Sequence, residues 1–176
     1  MKRALEWGIP LTIAVLFGWL ILPRGPQFAR LPVGSTTLGP WVYTNLQGQA
    51  IRSSDFTNQV VLINYWATFC PPCKAEIPAF NAIYEKYHSR GLEIIGIATD
   101  PEGAELVAPF SKRYEIKYPV VLYDAPPLPP IGGGIPLPTT LITDRNGKVV
   151  ARYVGALSEE ELEKALAPLL AAEAKP

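Results

Sequence analysis

The hydrophobic positions of this chain fall into two kinds of pattern. Near the start, an almost unbroken apolar run extends from about Trp7 to Leu22, behind Lys2 and Arg3. Further on, short β-branched and aromatic runs alternate with stretches of helical spacing. "VVLINYWAT" (Val60–Thr68) and "LEIIGIAT" (Leu92–Thr99) are apolar at successive positions, as strands covered on both faces are. Between them, "CKAEIPAFNAIYEKYHSRG" places Ile77, Phe80, Ile83, Tyr84 and Tyr87 at helical spacing and ends at Gly91. Pro78 lies inside that helix and is expected to kink it.

The remaining elements complete an alternation. "WVYTNLQGQAIRSSDF" reads as a hairpin turning near Gly48. Pro101–Tyr114 reads as a second helix, and "YPVVLYD" as a third strand. "TTLITDRNGKVVARYVG" reads as a hairpin with its turn at Asn146–Gly147. "SEEELEKALAPLLAA" opens with Ser158 and Glu161 in capping-box spacing and continues as an amphipathic helix. Hairpin, β-α-β-α-β, hairpin, helix predicts a three-layer α/β sandwich. The last hairpin adds antiparallel strands, so the central sheet is mixed. There is no internal repeat, no Gly-rich phosphate loop and no serine-nucleophile elbow.

The early apolar run changes the domain picture. Its sixteen residues fall short of the ~20 that span a bilayer, but Ala4 and Leu5 bring it close. Trp7 and Trp19 suit the two interfaces. A cleaved signal peptide is the rival reading, yet "LPRGPQFARLPVGS" offers no clean small-x-small cleavage site. The expected division is residues 1–25 as membrane anchor or signal segment, 26–37 as linker and 38–176 as the globular domain. Lys2 and Arg3 before the run are balanced by Arg24 and Arg30 after it, so charge alone does not orient it.

Composition then excludes classes of function. Sixteen basic residues balance sixteen acidic ones among 176, and no nucleic-acid partner is called for. Two cysteines and one histidine, His88, cannot fill a four-ligand zinc site of the usual Cys/His kind. His88 falls late in the first helix, far from the cysteines, and takes no catalytic role.

Cys70 and Cys73 are the only thiols, and they frame Pro71 and Pro72 directly after a strand and at a helix start. Free N–H groups and the dipole at a helix N-terminus favour an anion there, lowering a thiol pKa from ~8.5 to roughly 3.5–7.5. Cys73 on the first turn can close a disulfide with little motion. The two prolines suit the first turn because their missing N–H groups are not needed. A purely structural bridge across so short a loop would constrain the unfolded chain little. A redox dithiol is therefore the favoured reading.

"VLINYWATFCPPCKAEIP" resembles the thioredoxin-like superfamily, specifically the membrane-anchored TlpA/ResA-like thiol–disulfide oxidoreductases, with cytochrome c maturation thioredoxins as close kin. The similarity spans about Leu38 to Leu170. It implies a thioredoxin-like sandwich with an N-terminal β-hairpin, preceded by one hydrophobic helix. It implies Cys70 as the attacking thiolate and Cys73 as the resolving thiol. Pro138 matches the family's cis-proline, and Leu137 would offer backbone hydrogen bonds to a substrate strand. The resemblance places Trp66, Pro71, Pro72, Leu137, Pro138 and Thr139 at the substrate-binding surface. It also implies a redox-active disulfide as the only redox group, with no metal or organic cofactor.

Two departures stand out. Thioredoxin carries a buried aspartate six residues before its first cysteine, and here that position is Asn64. Glu76, three residues after Cys73, is the substitute the family suggests as proton acceptor; a carboxyl in an apolar site has its pKa raised toward neutrality. The rival reading of Glu76 is a solvated first-turn acid complementing the helix dipole. Asp124–Thr140, "DAPPLPPIGGGIPLPTT", is too rich in proline and glycine for the short helical turn many relatives place there. It reads as an irregular loop bordering the dithiol.

The expected function is an extracytoplasmic, membrane-tethered, monomeric thiol–disulfide oxidoreductase of the periplasm or cell envelope. It would reduce protein disulfides, in cytochrome c maturation or copper-site assembly, with a membrane-bound dithiol as electron donor. A thiol oxidase or isomerase of the same fold remains the alternative. A copper-binding assembly factor needs wider cysteine spacing and a downstream histidine, and no histidine follows His88. A peroxide-reducing thiol enzyme needs Thr or Ser where Ala67 stands.

Overall fold

The computed structural model describes residues 37–124 and 135–171. The expected anchor, most of the linker and the Gly-rich centre of the loop at 125–134 lie outside the described residues. The described residues form seven strands and three α-helices: β1 Val42–Thr44, β2 Ala50–Arg52, β3 Val60–Trp66, α1 Pro71–Tyr87, β4 Leu92–Ala98, α2 Ala104–Arg113, β5 Val120–Leu122, β6 Thr139–Thr143, β7 Val149–Val154 and α3 Glu159–Ala171. Short 3₁₀ turns follow β2 and α1.

β3 to β7 form one mixed sheet in the order β5-β4-β3-β6-β7. β4 runs parallel to β3 and to β5, while β6 is antiparallel to both β3 and β7. β3 is central and buried at every position, which explains its continuous apolar sequence. Its even-numbered residues Val60 and Leu62 pack with Phe80 and Ile83 of α1 and Leu162 and Leu166 of α3. Its odd-numbered residues Val61, Ile63 and Tyr65 pack with Trp41 and Tyr43 of the N-terminal hairpin. Emptying such a site is costly: Phe80→Ala in this fully buried position would lose about 3–5 kcal/mol.

Local chemistry sets the element ends. Gly91 closes the first crossover with φ +88, a left-handed conformation that glycine adopts freely. Asn146–Gly147 turns the β6–β7 hairpin, and Asp144 Oδ1 accepts from the N–H groups of Asn146 and Lys148. Ser158 and Glu161 form the expected reciprocal cap of α3. β5 is shorter than the run that predicts it, and α2 begins only at Ala104, after the turn of Pro101–Gly103. α1 remains one helix of seventeen residues through Pro78.

The β1–β2 hairpin is a separate two-stranded sheet. It reaches the main sheet at its β5 edge through an isolated bridge between Asn45 and Val121. Its turn residue Leu46 packs beside the cluster that contains both cysteines. The site is thus assembled where β3 ends, α1 begins, β6 begins and the hairpin turn approaches.

Candidate active site

Cys70 is the N-cap of α1, and its sulfur is bonded to that of Cys73, so the structure holds the disulfide form. The Cys73 N–H donates to Cys70 Sγ at 3.3 Å. Pro71 and Pro72 occupy the first two helical positions and carry no N–H, so Cys73 supplies the first N–H of the helix, and it points at sulfur. An anion on Cys70 would meet that donor and the positive end of the helix together. Cys70 is 6% exposed and Cys73 only 1%. Both residues are buried, Cys70 slightly less than Cys73.

The turn that delivers Cys70 is clamped from a distant loop. Both carboxylate oxygens of Asp100 accept from the Thr68 N–H, each at 3.1 Å, and Oδ1 also accepts from the Thr68 hydroxyl. Phe69, between Thr68 and Cys70, is 65% exposed, an unusual position for so large an apolar side chain. Neither Asp100 nor Phe69 figures in the sequence reading. Phe69 was accessible to it, as the neighbour of Cys70. Asp100 was not, because nothing local links it to Thr68.

Trp66 is buried, with its indole 5.3 Å from the Phe110 ring, and it belongs to the cluster that holds both cysteines. A Cβ on Gly96 would meet the Trp66 Nε1 at 2.9 Å, too close for contact, so glycine is what fits beneath it. Pro71 and Pro72 are exposed. The Leu137–Pro138 bond is cis. Leu137 is half-buried against the cysteine cluster, and Pro138 is buried. Thr139 is fully buried and its hydroxyl donates to the Pro136 carbonyl at 2.6 Å, so its side chain secures the loop rather than facing outward.

Glu76 settles against the solvated reading of a first-turn acid. It is 3% exposed and lies one turn after Cys73 on the inner side of α1. Burial pushes its carboxyl up to about 7, opposed by two neutral donors. Asn64 Nδ2 donates to Oε1 at 2.9 Å, and the Leu157 N–H donates to Oε2 at 3.2 Å. Tyr118, buried beside it, has its phenol pushed further up and stays protonated. No cation is among the groups acting on Glu76. The arrangement can take a proton near neutral pH beside a dithiol. Among the described residues, no cluster of three or more His, Cys, Asp or Glu is placed to hold a metal ion.

Comparison with known proteins agrees with this chemistry. The Redoxin family model matches residues 26–167. The thiol-disulfide oxidoreductase ResA of Bacillus thuringiensis is 38% identical over 126 residues, 72% of each chain. ResA of Geobacillus kaustophilus is 34% identical over 166 residues, 94% of each. Among solved structures, a secreted thiol-disulfide isomerase from Corynebacterium glutamicum superposes with a TM-score of 0.71 at 25% identity, covering 86% of this chain and 96% of that one. A thioredoxin-family thiol:disulfide interchange protein from Chlorobium tepidum gives 0.68 at 26% identity, covering 80% and 99%. With a Cys-x-x-Cys disulfide at the N-terminus of its first helix and these relatives across most of its length, the chain belongs to the Redoxin family as a ResA-like thiol–disulfide oxidoreductase.

Proposed function

We propose that this oxidoreductase works as a reductase of protein disulfides on the outer side of a membrane, tethered by its N-terminal apolar run and acting as a monomer. The observation that carries the reading is the pairing of an N-capping Cys70 with a buried, cation-free Glu76 one turn beyond Cys73. In the reduced enzyme, the Cys70 thiolate attacks a substrate disulfide, and the first substrate thiolate leaves. The Cys73 thiol gives its proton to Glu76. The resulting thiolate attacks Cys70 Sγ and displaces the second substrate thiolate. The substrate gains two electrons, and the Cys70–Cys73 pair becomes the disulfide. A membrane-bound dithiol donor returns the enzyme to its reduced form.

Leu137, half-buried beside the dithiol, supplies backbone groups for an extended substrate segment, with Trp66, Pro71, Pro72 and Pro138 framing the approach. Thr139 contributes by holding the loop. A tethered dithiol is useful where disulfides persist, which is outside the cytosol. The paired cysteines that cytochrome c maturation or copper-site assembly needs in reduced form fit this chemistry. No metal or organic cofactor takes part.

The reduction potential of the Cys70–Cys73 pair tests the direction. A value near the roughly −270 mV of thioredoxin is expected. A value near the roughly −120 mV of a strong oxidant would overturn the reductase reading in favour of an oxidase or isomerase. Cys73→Ser, which leaves the attacking thiol without its resolver, is expected to accumulate mixed disulfides through Cys70. Their absence on a membrane-extracted protein would reject protein disulfides as substrates.

A further inference from the structure

Asn64 is the one amide in the otherwise aliphatic and aromatic central strand β3, and it is 1% exposed. A buried amide in such a place is expensive unless its hydrogens are used. Both bonds from its nitrogen are present: Nδ2 donates to Glu76 Oε1 at 2.9 Å and to Thr140 Oγ1 at 3.1 Å. Asn64 and Thr140 are direct partners in the antiparallel β3–β6 register. The Thr140 hydroxyl therefore holds one N–H, and the geometry of a planar amide aims the other at the carboxylate.

The second oxygen of Glu76 is held independently. Leu157 N–H reaches Oε2 from the loop after β7, and the same loop sends Gly155 N–H to the Pro138 carbonyl at 2.9 Å. Glu76 is thus fixed between β3 and a loop that is itself tied to the start of β6. We propose that Asn64 is the positioning residue of the proton-transfer step: oriented by Thr140, its amide fixes the Glu76 carboxylate and favours its charged form. The inference rests on the reading of Glu76 as the proton acceptor for Cys73. Asn64 touches no reacting sulfur; it acts through Glu76.

The titratable groups that bear on Glu76 are Tyr118, buried on the β5 side with its phenol held protonated, and the dithiol on its own helix. β3 and the loop after β7 face it with Asn64 and a backbone N–H, neither of which titrates. Removing the Asn64 donor leaves Leu157 as the remaining hydrogen bond to the charged form. A hydrogen bond to a charged group is worth enough to move a titration by about one to two pH units.

The test follows the Glu76 carboxyl by carbon-13 NMR and the pH dependence of Cys73 alkylation, in reduced full-length protein. Asn64→Leu is expected to raise the Glu76 midpoint by about one to two units and to slow Cys73 alkylation at pH 7 about tenfold. Thr140→Val, which keeps Asn64 but removes its guide, is expected to shift the midpoint the same way by less. Asn64→Asp places a second carboxyl against the first, and the pair is expected to titrate in two steps, the upper one above the wild-type midpoint. A merely structural amide would lower the melting temperature in these variants and leave every midpoint in place, and that result overturns the inference. Should Asn64→Leu fail to fold, Thr140→Val and Asn64→Asp decide. Glu76→Gln separates the two levels. If it abolishes the titration step in alkylation while the Asn64 and Thr140 variants do not move that step, only the positioning role fails. If it leaves the step unchanged, the proton-acceptor reading fails and the positioning role falls with it.

Discussion

Two glutamates among the described residues are buried in the sheet–helix core, and they differ in what they are surrounded by. Glu76 and Glu93 are 3% and 6% exposed, and burial raises both carboxyls. Among the described residues, Glu76 is held by the Asn64 amide and the Leu157 N–H. Glu93, at the start of β4, accepts from its neighbouring Ile94 N–H, lies 3.6 Å from His88 Nδ1 and is bonded to the Tyr84 hydroxyl. His88 lies tilted against Tyr84 with ring centroids 4.6 Å apart and keeps about half of its side chain in solvent. Glu93 thus has a partner that can carry positive charge and an opening to water. Glu76 has neither, and it alone lies one turn from a redox sulfur. Burial by itself raises a carboxyl; function depends on whether anything nearby can compensate the charge.

The comparison can be broken most directly through activity. Glu76→Gln is expected to slow release of the mixed disulfide at pH 7 by about 10²-fold or more, the usual worth of a positioned base. Glu93→Gln is expected to leave that rate and its pH profile unchanged. Stopped-flow reduction of a peptide disulfide between pH 5 and 9 measures both. Equal effects from the two substitutions would show that the acids are not functionally distinct.

A second, smaller effect lies in stability. Glu76 is raised from 4.5 to about 7, so the folded state keeps a proton that the unfolded chain releases. That contribution is complete below about pH 4.5 and is lost as pH rises through 7. The oxidised protein is expected to lose about 3 kcal/mol between pH 4.5 and 8 from this group alone, at ~1.36 kcal/mol per pKa unit. Urea unfolding of Glu76→Gln is expected to show that slope removed. A Glu76→Gln curve parallel to the wild type would place the raised pKa elsewhere.

The smallest effect sharpens the other side. Glu93 is raised in the same sense, so its contribution also falls as pH rises. Solvent reaches its partner His88, which screens the interaction. Glu93→Gln is expected to alter the pH dependence of unfolding by less than about 1 kcal/mol. A change as large as that from Glu76→Gln would mean that the opening to solvent at His88 does not matter.

Much of this was legible along the chain because it is local. The apolar runs of β3 and β4, the Asn146–Gly147 turn, the Ser158–Glu161 cap and the Cys-Pro-Pro-Cys helix start each depend on residues within a few positions of one another. The three-layer α/β sandwich with its mixed sheet and N-terminal hairpin follows from their order, and the resemblance around the two cysteines implies its thioredoxin-like kind. The proposed role of Glu76 is what the family resemblance suggests, and its spacing agrees, since three residues along a helix return to nearly the same face as Cys73. Other parts of the site were not legible. The Asp100 clamp on Thr68 spans thirty-two residues, and the Asn64–Thr140 bond spans seventy-six. Thr139 could be placed beside the cis-proline, but whether its hydroxyl faced a substrate or the Pro136 carbonyl depended on the path of the loop.

The amino-acid sequence by itself determined the chemistry: two thiols, the prolines that stiffen their turn, a carboxyl one turn on, and an amide where thioredoxin carries a buried aspartate. Those are properties of residue type and of spacing along a helix or strand. Only the tertiary structure decided that the carboxyl is buried, that the amide gives its hydrogens to Glu76 and Thr140, and that a distant loop supplies the last donor. Burial and hydrogen-bond partners arise when separate segments share space, and they set the energy of a charge far more strongly than its neighbours in sequence do.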